Sequence, residues 1–392
     1  MNCTVNHSLF LRSNGSLACW CDYGSLKTLQ AFDPSLDYAE DVYLGKVYGH
    51  IRERLAADTM PFPTYCSKCI VLQPTSPYVT SDSHHRYVDT FQVEPSMACQ
   101  LDCPGCIPMK ERKARVERTW CGHLFLAPQI FEKILKDFRR ASVRIRTFDF
   151  QGHGEPLLSR DVWSMIRMAK SLFPDSYATM CTNANAEFRD EMVDAGLDQI
   201  IYAIDGMDRA SYAPYRVHGD FEQAYAFMRR FSAAVRARNG KIDTVWKYVL
   251  FRHNDRPEQL LAAQALALEA QVTELRFIIT QLGPMSTLIV ADEDIPRAGN
   301  GVNVRIENYK VSIGQLEDGI TAARASLDTN RLAQAAQAAT FVATMMNRLF
   351  SEAQTVPPQY ARFLHAVQDA ADRLPDAARA AVLREVEHLR TP

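Results

Sequence analysis

From residue 87 onward the chain alternates between two hydrophobic periods. Extended runs, rich in β-branched and aromatic residues, occur over 87–93, 143–150, 177–181, 199–204, 245–251 and 274–279. Between them, apolar residues return at helical spacing. Examples are Ile130, Phe131, Ile134, Leu135 and Phe138, then Val162, Ile166 and Ala169, then a stretch through Met192, then 225–235 and 260–270. The short period marks strands and the long one helices. Six strand–helix units in this order predict an α/β fold, a parallel sheet curled toward a barrel. Functional groups of such a fold gather at the C-terminal strand ends.

The flanks read differently. Apolar runs ending at Arg12 and starting at Leu17 flank Asn14-Gly15, a hairpin signal. Residues 47–55 are amphipathic, and Cys66-Ser67-Lys68-Cys69 follows. Residues 76–86 carry Pro and Ser with no apolar period and read as a linker. Beyond Gly283, residues 284–308 look irregular and 310–392 are Ala-rich and helical. The expected division is a Cys-rich module over 1–75, a linker over 76–86, the α/β unit over 87–283, and an irregular connection with helices over 284–392.

Composition narrows the function. The 392 residues, 47% of them apolar, suffice for one large domain with appendages. A formal charge of −2 gives no electrostatic case for nucleic acid. No run approaches the roughly 18 apolar residues of a membrane span, and the N-terminus lacks a signal-peptide layout. Ten Cys suit metal ligation in a reducing, cytoplasmic setting better than disulfides.

Cys99, Cys103 and Cys106 form a C-x3-C-x2-C run. Three thiolates this close can hold three irons of a [4Fe–4S] cluster, with the fourth iron open to an external ligand. Zinc is the alternative, although it usually takes paired C-x2-C units and a fourth ligand. Farther on, Phe148-Asp149-Phe150-Gln151-Gly152-His153-Gly154-Glu155-Pro156-Leu157 reads as a strand ending in a glycine turn with a carboxylate.

Together these motifs resemble the radical S-adenosylmethionine (radical SAM) superfamily. The resemblance implies a partial (β/α)6 TIM-like barrel in which SAM chelates the open iron through its amino and carboxylate groups. It places Gly154 and Glu155 against SAM, with His153 in place of a first Gly. Gly105 stands where the family usually has an apolar residue packing on adenine. Thr182 and Asn183 match a Ser/Thr-Asn-Gly run near SAM, with Ala184 in place of Gly. Cys181 either faces the radical site or is a small buried thiol. Asp205 reaches the SAM ribose or a substrate hydroxyl, or else caps the next helix.

The N-terminal Cys pattern resembles the SPASM/twitch auxiliary-cluster module, although that module usually follows the barrel. It implies a second [4Fe–4S] cluster on Cys3, Cys21, Cys66 and Cys69, with Cys19 competing with Cys21 and a structural zinc as the alternative. Lys247 alternates with Trp246 and Tyr248, and a Lys in a core strand is rare unless paired. Lys247, Arg252 in the following loop, and Cys181 are the catalytic candidates. The basic run of Lys110, Arg112, Lys113, Arg115 and Arg118 reads as a solvated face, or as a dock for a flavodoxin or ferredoxin-type electron donor. The implied activity is of oxidoreductase type. A 5′-deoxyadenosyl radical takes hydrogen from a small polyhydroxylated substrate (a sugar, aminocyclitol or related natural product), leading to oxidation, dehydration or epimerisation. A radical SAM peptide or protein maturase is the second reading. A non-catalytic iron–sulfur or zinc scaffold is the third.

Overall fold

The computed structural model describes residues 3–19, 27–66, 86–106, 110, 112, 124–280, 284, 286, 288–289, 291–308, 372, 376 and 379–380. The chain opens with β1 (Ser8–Leu11), β2 (Leu17–Ala18) and β3 (Thr28–Gln30), then a π-helical turn Tyr38–Tyr43 and α1 (Lys46–Ala56). The alternating part runs β4 (Tyr87–Val93), α2 (Pro128–Arg140), β5 (Arg144–Phe150), α3 (Val162–Leu172), β6 (Tyr177–Thr182) and β7 (Gln199–Ala203). It continues with α4 (Phe221–Ala237), β8 (Asp243–Leu250), α5 (Pro257–Ala270), β9 (Glu274–Ile279) and β10 (Val304–Asn308).

These strands form one ten-stranded sheet in the order β10-β9-β8-β7-β6-β5-β4-β1-β2-β3. The six strands read from periodicity lie side by side, every neighbouring pair parallel. Two further parallel strands flank them. β10 pairs with β9 inside the stretch 284–308 expected to be irregular, and β1 pairs with β4. The N-terminal hairpin therefore continues the main sheet, with β2 and β3 antiparallel at its edge. The linker over 76–86, Arg86 apart, lies outside the described residues. So does the C-terminal helical stretch, apart from Asp372, Asp376, Arg379 and Ala380.

The sheet has two unlike faces because strand side chains alternate. One face is packed with rings. Phe91, Phe148 and Phe150 meet Phe131 and Phe138 of α2 and Phe173 at centroid distances of 5.7–6.4 Å. Each of these Phe residues is buried, and burying one contributes about 2–3 kcal/mol. The other face carries Gln92, Asp149 and Thr179, which share one register row across β4, β5 and β6. Lys247 and Arg276 share another row across β8 and β9.

Buried carboxylates tie the N-terminal region to this frame. Asp137 on α2, 2% exposed, accepts from Tyr38 N at 2.9 Å, Lys133 Nζ at 2.6 Å and Arg140 Nη2 at 2.9 Å. Among the described residues no helix is long and apolar enough to cross a membrane.

Candidate functional site

The three cysteines hang in the loop after β4, and the glycine turn after β5 is pressed against that loop. Glu155 N donates to Ala98 O at 2.7 Å. A Cβ on Gly154 would lie 2.1 Å from Ser96 O and 2.6 Å from Ala98 O, so only glycine permits this approach. Glu94, fully buried at the end of β4, organises the junction. It accepts from His153 N at 2.8 Å and from Ser13 N of the N-terminal hairpin at 3.2 Å.

Each sulfur of the triad meets at least one N–H donor. Cys99 Sγ faces Leu101 N at 3.4 Å and Asn183 Nδ2 at 3.7 Å. Cys103 Sγ lies 3.9 Å from Arg216 Nη1, and Cys106 Sγ lies 3.0 Å from Arg112 Nη2. Burial pushes the Cys103 thiol up, and the Arg216 guanidinium pulls it back. Among the described residues no three His, Cys, Asp or Glu side chains close around a single metal-ion position. Sulfurs that share one loop and face cationic or N–H donors are the donor chemistry that a thiolate-ligated cluster requires.

Glu155 faces inward. Thr182 Oγ1 donates to it at 2.6 Å, Asn183 N at 2.8 Å and Leu157 N at 2.9 Å. Burial raises its carboxyl even against these donors. Thr182 and Asn183 are thus brought to Glu155 and Cys99 together. Ala184 takes φ +60°, the left-handed conformation that favours glycine.

Asp205 does not cap the next helix. Asp208 does so, accepting from Ser211 N at 2.7 Å. Asp205 is fully buried and accepts Arg216 Nε and Nη2, both at 2.7 Å, and Val249 N at 2.8 Å. It aims Arg216 at Cys103. Arg112 also departs from the solvated-face reading, being 1% exposed and seated on the triad. At Gly105 a Cβ would meet the Tyr215 hydroxyl at 2.8 Å, and Tyr215 packs on Phe251 with centroids 4.1 Å apart.

On the polar face, Lys247 Nζ lies 3.7 Å from Cys181 Sγ, so these two candidates come together. Arg252 is exposed in the loop after β8, its N bonded to Pro284 O. Asp149, which sequence reasoning passed over, joins the polar face with its Oδ2 accepting Gln151 Nε2 at 2.5 Å. Burial pushes its carboxyl up to about 7, against the pull of Gln151 and Lys247. The signal was available, since Asp149 is a carboxylate between Phe148 and Phe150 in a predicted strand. Nearer β10, Arg276 is held by Glu274 at 2.6 Å and Glu307 at 3.4 Å.

The N-terminal cysteines are only in part described. Cys3 is buried, while Cys19 and Cys66 are half-buried against the same core. Cys19 N donates to Lys27 O, and Lys27 Nζ sits over the rings of Phe62 and Tyr65 beside Cys66. Cys21 and Cys69 lie outside the described residues.

Fold and site define an α/β protein whose parallel sheet presents a three-thiol loop braced by a glycine turn. No protein-family model matches the chain. It is 26% identical over 163 residues to a GTP 3′,8-cyclase of Chlorobaculum tepidum, covering 40% of this chain and 44% of that protein. It is similar to Streptococcus suis SuiB bound to S-adenosylmethionine, with a TM-score of 0.40 and 13% identity over 56% of this chain and 50% of that one. It is also similar to the radical S-adenosylmethionine methyltransferase TsrM of Kitasatospora setae, with a TM-score of 0.36 and 13% identity over 52% and 38% of the two chains. The matches span about half or less of these three proteins, and the structural scores are low. The functional reading therefore rests on the residues.

Proposed function

We propose that this chain is a radical SAM enzyme acting on a small, hydroxyl-rich substrate. The observation that carries it is the backbone-to-backbone seating of the Gly154–Glu155 turn on the three-thiol loop, with Glu155 N on Ala98 O at 2.7 Å. When bound, a [4Fe–4S] cluster and SAM supply one-electron cleavage of SAM and a carbon radical that abstracts hydrogen.

The protein's own groups hold and orient these parts. Cys99, Cys103 and Cys106 take three irons, and Arg216, aimed by Asp205, offsets their negative charge. Gly154 and the Glu155 backbone line the SAM methionine. Glu155 itself clamps Thr182 and Asn183 to the turn. Tyr215, which fills the space beside Gly105 and packs on Phe251, offers adenine an aromatic face. Asp149, Cys181, Lys247 and Arg276 give the polar face hydrogen-bonding and charged groups for a hydroxylated substrate, which is why a small polar molecule is favoured. A second cluster on Cys3, Cys21, Cys66 and Cys69 would take the substrate's second electron in an oxidation. A flavodoxin or ferredoxin-type protein is the electron donor.

The test is anaerobic reconstitution, followed by assay of 5′-deoxyadenosine from SAM and dithionite. Formation of 5′-deoxyadenosine that disappears in Cys103→Ala supports the reading, and unchanged cleavage in that variant ends it. Turnover of a peptide in place of polyols would replace the substrate class and leave the rest standing.

A further inference from the structure

Lys247 is the cation that the polar face leaves without an anion. On β8 it stands beside Ala203 of β7, while Cys181 of β6 stands beside Ile201. Its side chain therefore crosses β7 over the apolar Ile201 and Ala203 to bring Nζ within 3.7 Å of Cys181 Sγ. Among the described residues that nitrogen reaches no oxygen and forms no ion pair. The other cations of this face are matched by carboxylates. Arg276, its register neighbour, is held by Glu274 at 2.6 Å and Glu307 at 3.4 Å, and Arg305 lies 3.2 Å from Glu307. Asp149 gives its Oδ2 to Gln151 and feels the Lys247 charge without pairing to it. Burial holds the Asp149 carboxyl up to about 7, so near neutral pH it offers an O–H donor as readily as a charge. A half-buried ammonium has three donors, and a thiol is a weak acceptor. An anionic acceptor therefore belongs beside Lys247.

We propose that Lys247 takes an anionic group of the substrate, a carboxylate or a phosphate. The substrate is then a hydroxyl-rich acid or phosphate ester, not a neutral polyol or an amine. This rests on the hydroxyl-rich reading above and narrows it. An ammonium is a point charge with rotatable donors and suits either anion. A substrate amine placed there would meet a like charge.

The experiment sets D-gluconate and D-glucose 6-phosphate against D-glucose and D-glucosamine, which keep a similar hydroxyl pattern and differ in charge. Affinities are measured by equilibrium dialysis on the anaerobically reconstituted, SAM-loaded full chain, as wild type, Lys247→Gln and Lys247→Arg. SAM affinity and cleavage are measured alongside. At least one anion should bind about tenfold or more tightly than glucose, the worth of a charge-assisted hydrogen bond. Which anion it is separates a carboxylate from a phosphate. Lys247→Gln should erase the preference, and Lys247→Arg should keep most of it. In wild type, acetylation of Lys247 by an N-hydroxysuccinimide ester, read by mass spectrometry, should be slowed by the preferred anion and not by glucose. That measurement decides the matter if Lys247→Gln does not fold. Equal affinity for the anions and glucose, tighter binding of glucosamine, or a preference that survives in Lys247→Gln would overturn the proposal. Loss of SAM affinity in Lys247→Gln in place of the anion preference would also overturn it, by assigning the ammonium to the cofactor. A wild type that cleaves SAM but binds none of the sugars would sink the hydroxyl-rich reading, and this assignment with it. A wild type that binds no SAM would sink the radical SAM reading, while an anion preference lost in Lys247→Gln would still support this one.

Discussion

The two groups of cysteines sit in opposite surroundings. Around Cys99, Cys103 and Cys106 the nitrogens point at sulfur, from Arg112, Arg216, Asn183 and the Leu101 backbone. Around Cys3, Cys19 and Cys66 the described cations are engaged with rings and oxygens. Lys27 lies over Phe62 and Tyr65, while Arg52 lies over Tyr43 and Tyr48 and donates to Tyr43 O and Asn6 Oδ1. Cys19 is close enough to Tyr48 to raise its hydroxyl further, after burial and Tyr43 have done most of the work. Thiolate charge is thus provided for at the first group by the protein itself.

The largest expected effects test that contrast directly. Cys103→Ala should abolish 5′-deoxyadenosine formation. Cys66→Ala should lose product yet keep SAM cleavage, provided the protein folds. With both groups loaded as cubanes, the anaerobic protein should carry roughly eight irons per chain, twice four. A value near four, with zinc also present, would make the second group a structural zinc site and leave the first untouched.

Glu94 is one link between the two regions, since one carboxylate serves Ser13 N and His153 N. Glu94→Ala leaves two inward N–H groups unmet and should cost about 2–4 kcal/mol by urea unfolding. It should also loosen the glycine turn and weaken SAM binding. Glu94→Gln, which keeps acceptor oxygen for one donor, should lose about half as much. If neither substitution changed SAM affinity, the two regions would be uncoupled through this residue.

How much of this was legible beforehand follows from the range of each signal. Strands β4 to β9 and the hairpin of β1 and β2 were readable from local signals, whereas the parallel pairing of β1 with β4 was not, because pairing between remote segments leaves no local period, and β10 offers only Val304 and Ile306 as apolar positions. The thiol triplet and its glycine turn were readable because the chemistry demands close spacing. The role of Asp205 was not, because an Asp after a strand looks the same whether it caps a helix or holds a distant Arg216. Arg112 was hidden in a run of charges whose average position is solvent. Glu94 was hidden because its partners are backbone groups from two remote segments.

Asp149 gives a pH-dependent prediction on the polar face. Folding raises its carboxyl from the ordinary 3.8 to about 7, chiefly through burial. The folded chain therefore keeps a proton that the unfolded chain releases between those values. Its stability contribution is fullest below the lower value, falls as pH rises to about 7, and stays low above it. Asp149→Asn carries no such proton. The variant should therefore have a higher urea midpoint than wild type at pH 8, with the difference fading toward pH 4. A constant difference across this range would mean that the carboxyl is not desolvated.

The smallest effects concern the backbone, where the two regions again differ. The N-terminal hairpin turns on Gly15, at φ +82°, with Ile130 Cδ1 only 2.9 Å from where a Cβ would stand. The site makes its left-handed turn with Ala184, at φ +60° and fully buried. Gly15→Ala adds left-handed strain and a clash together, and should cost about 1–3 kcal/mol. Ala184→Gly removes about 1–2 kcal/mol of the same strain but gives up a buried methyl worth about 0.8 kcal/mol and adds chain entropy to the unfolded state. These terms nearly cancel, so its melting temperature should stay within about 2 °C of wild type. A drop well beyond that would show that the methyl packs the turn against Asn183 and Cys99, making Ala184 a packing residue of the thiol loop.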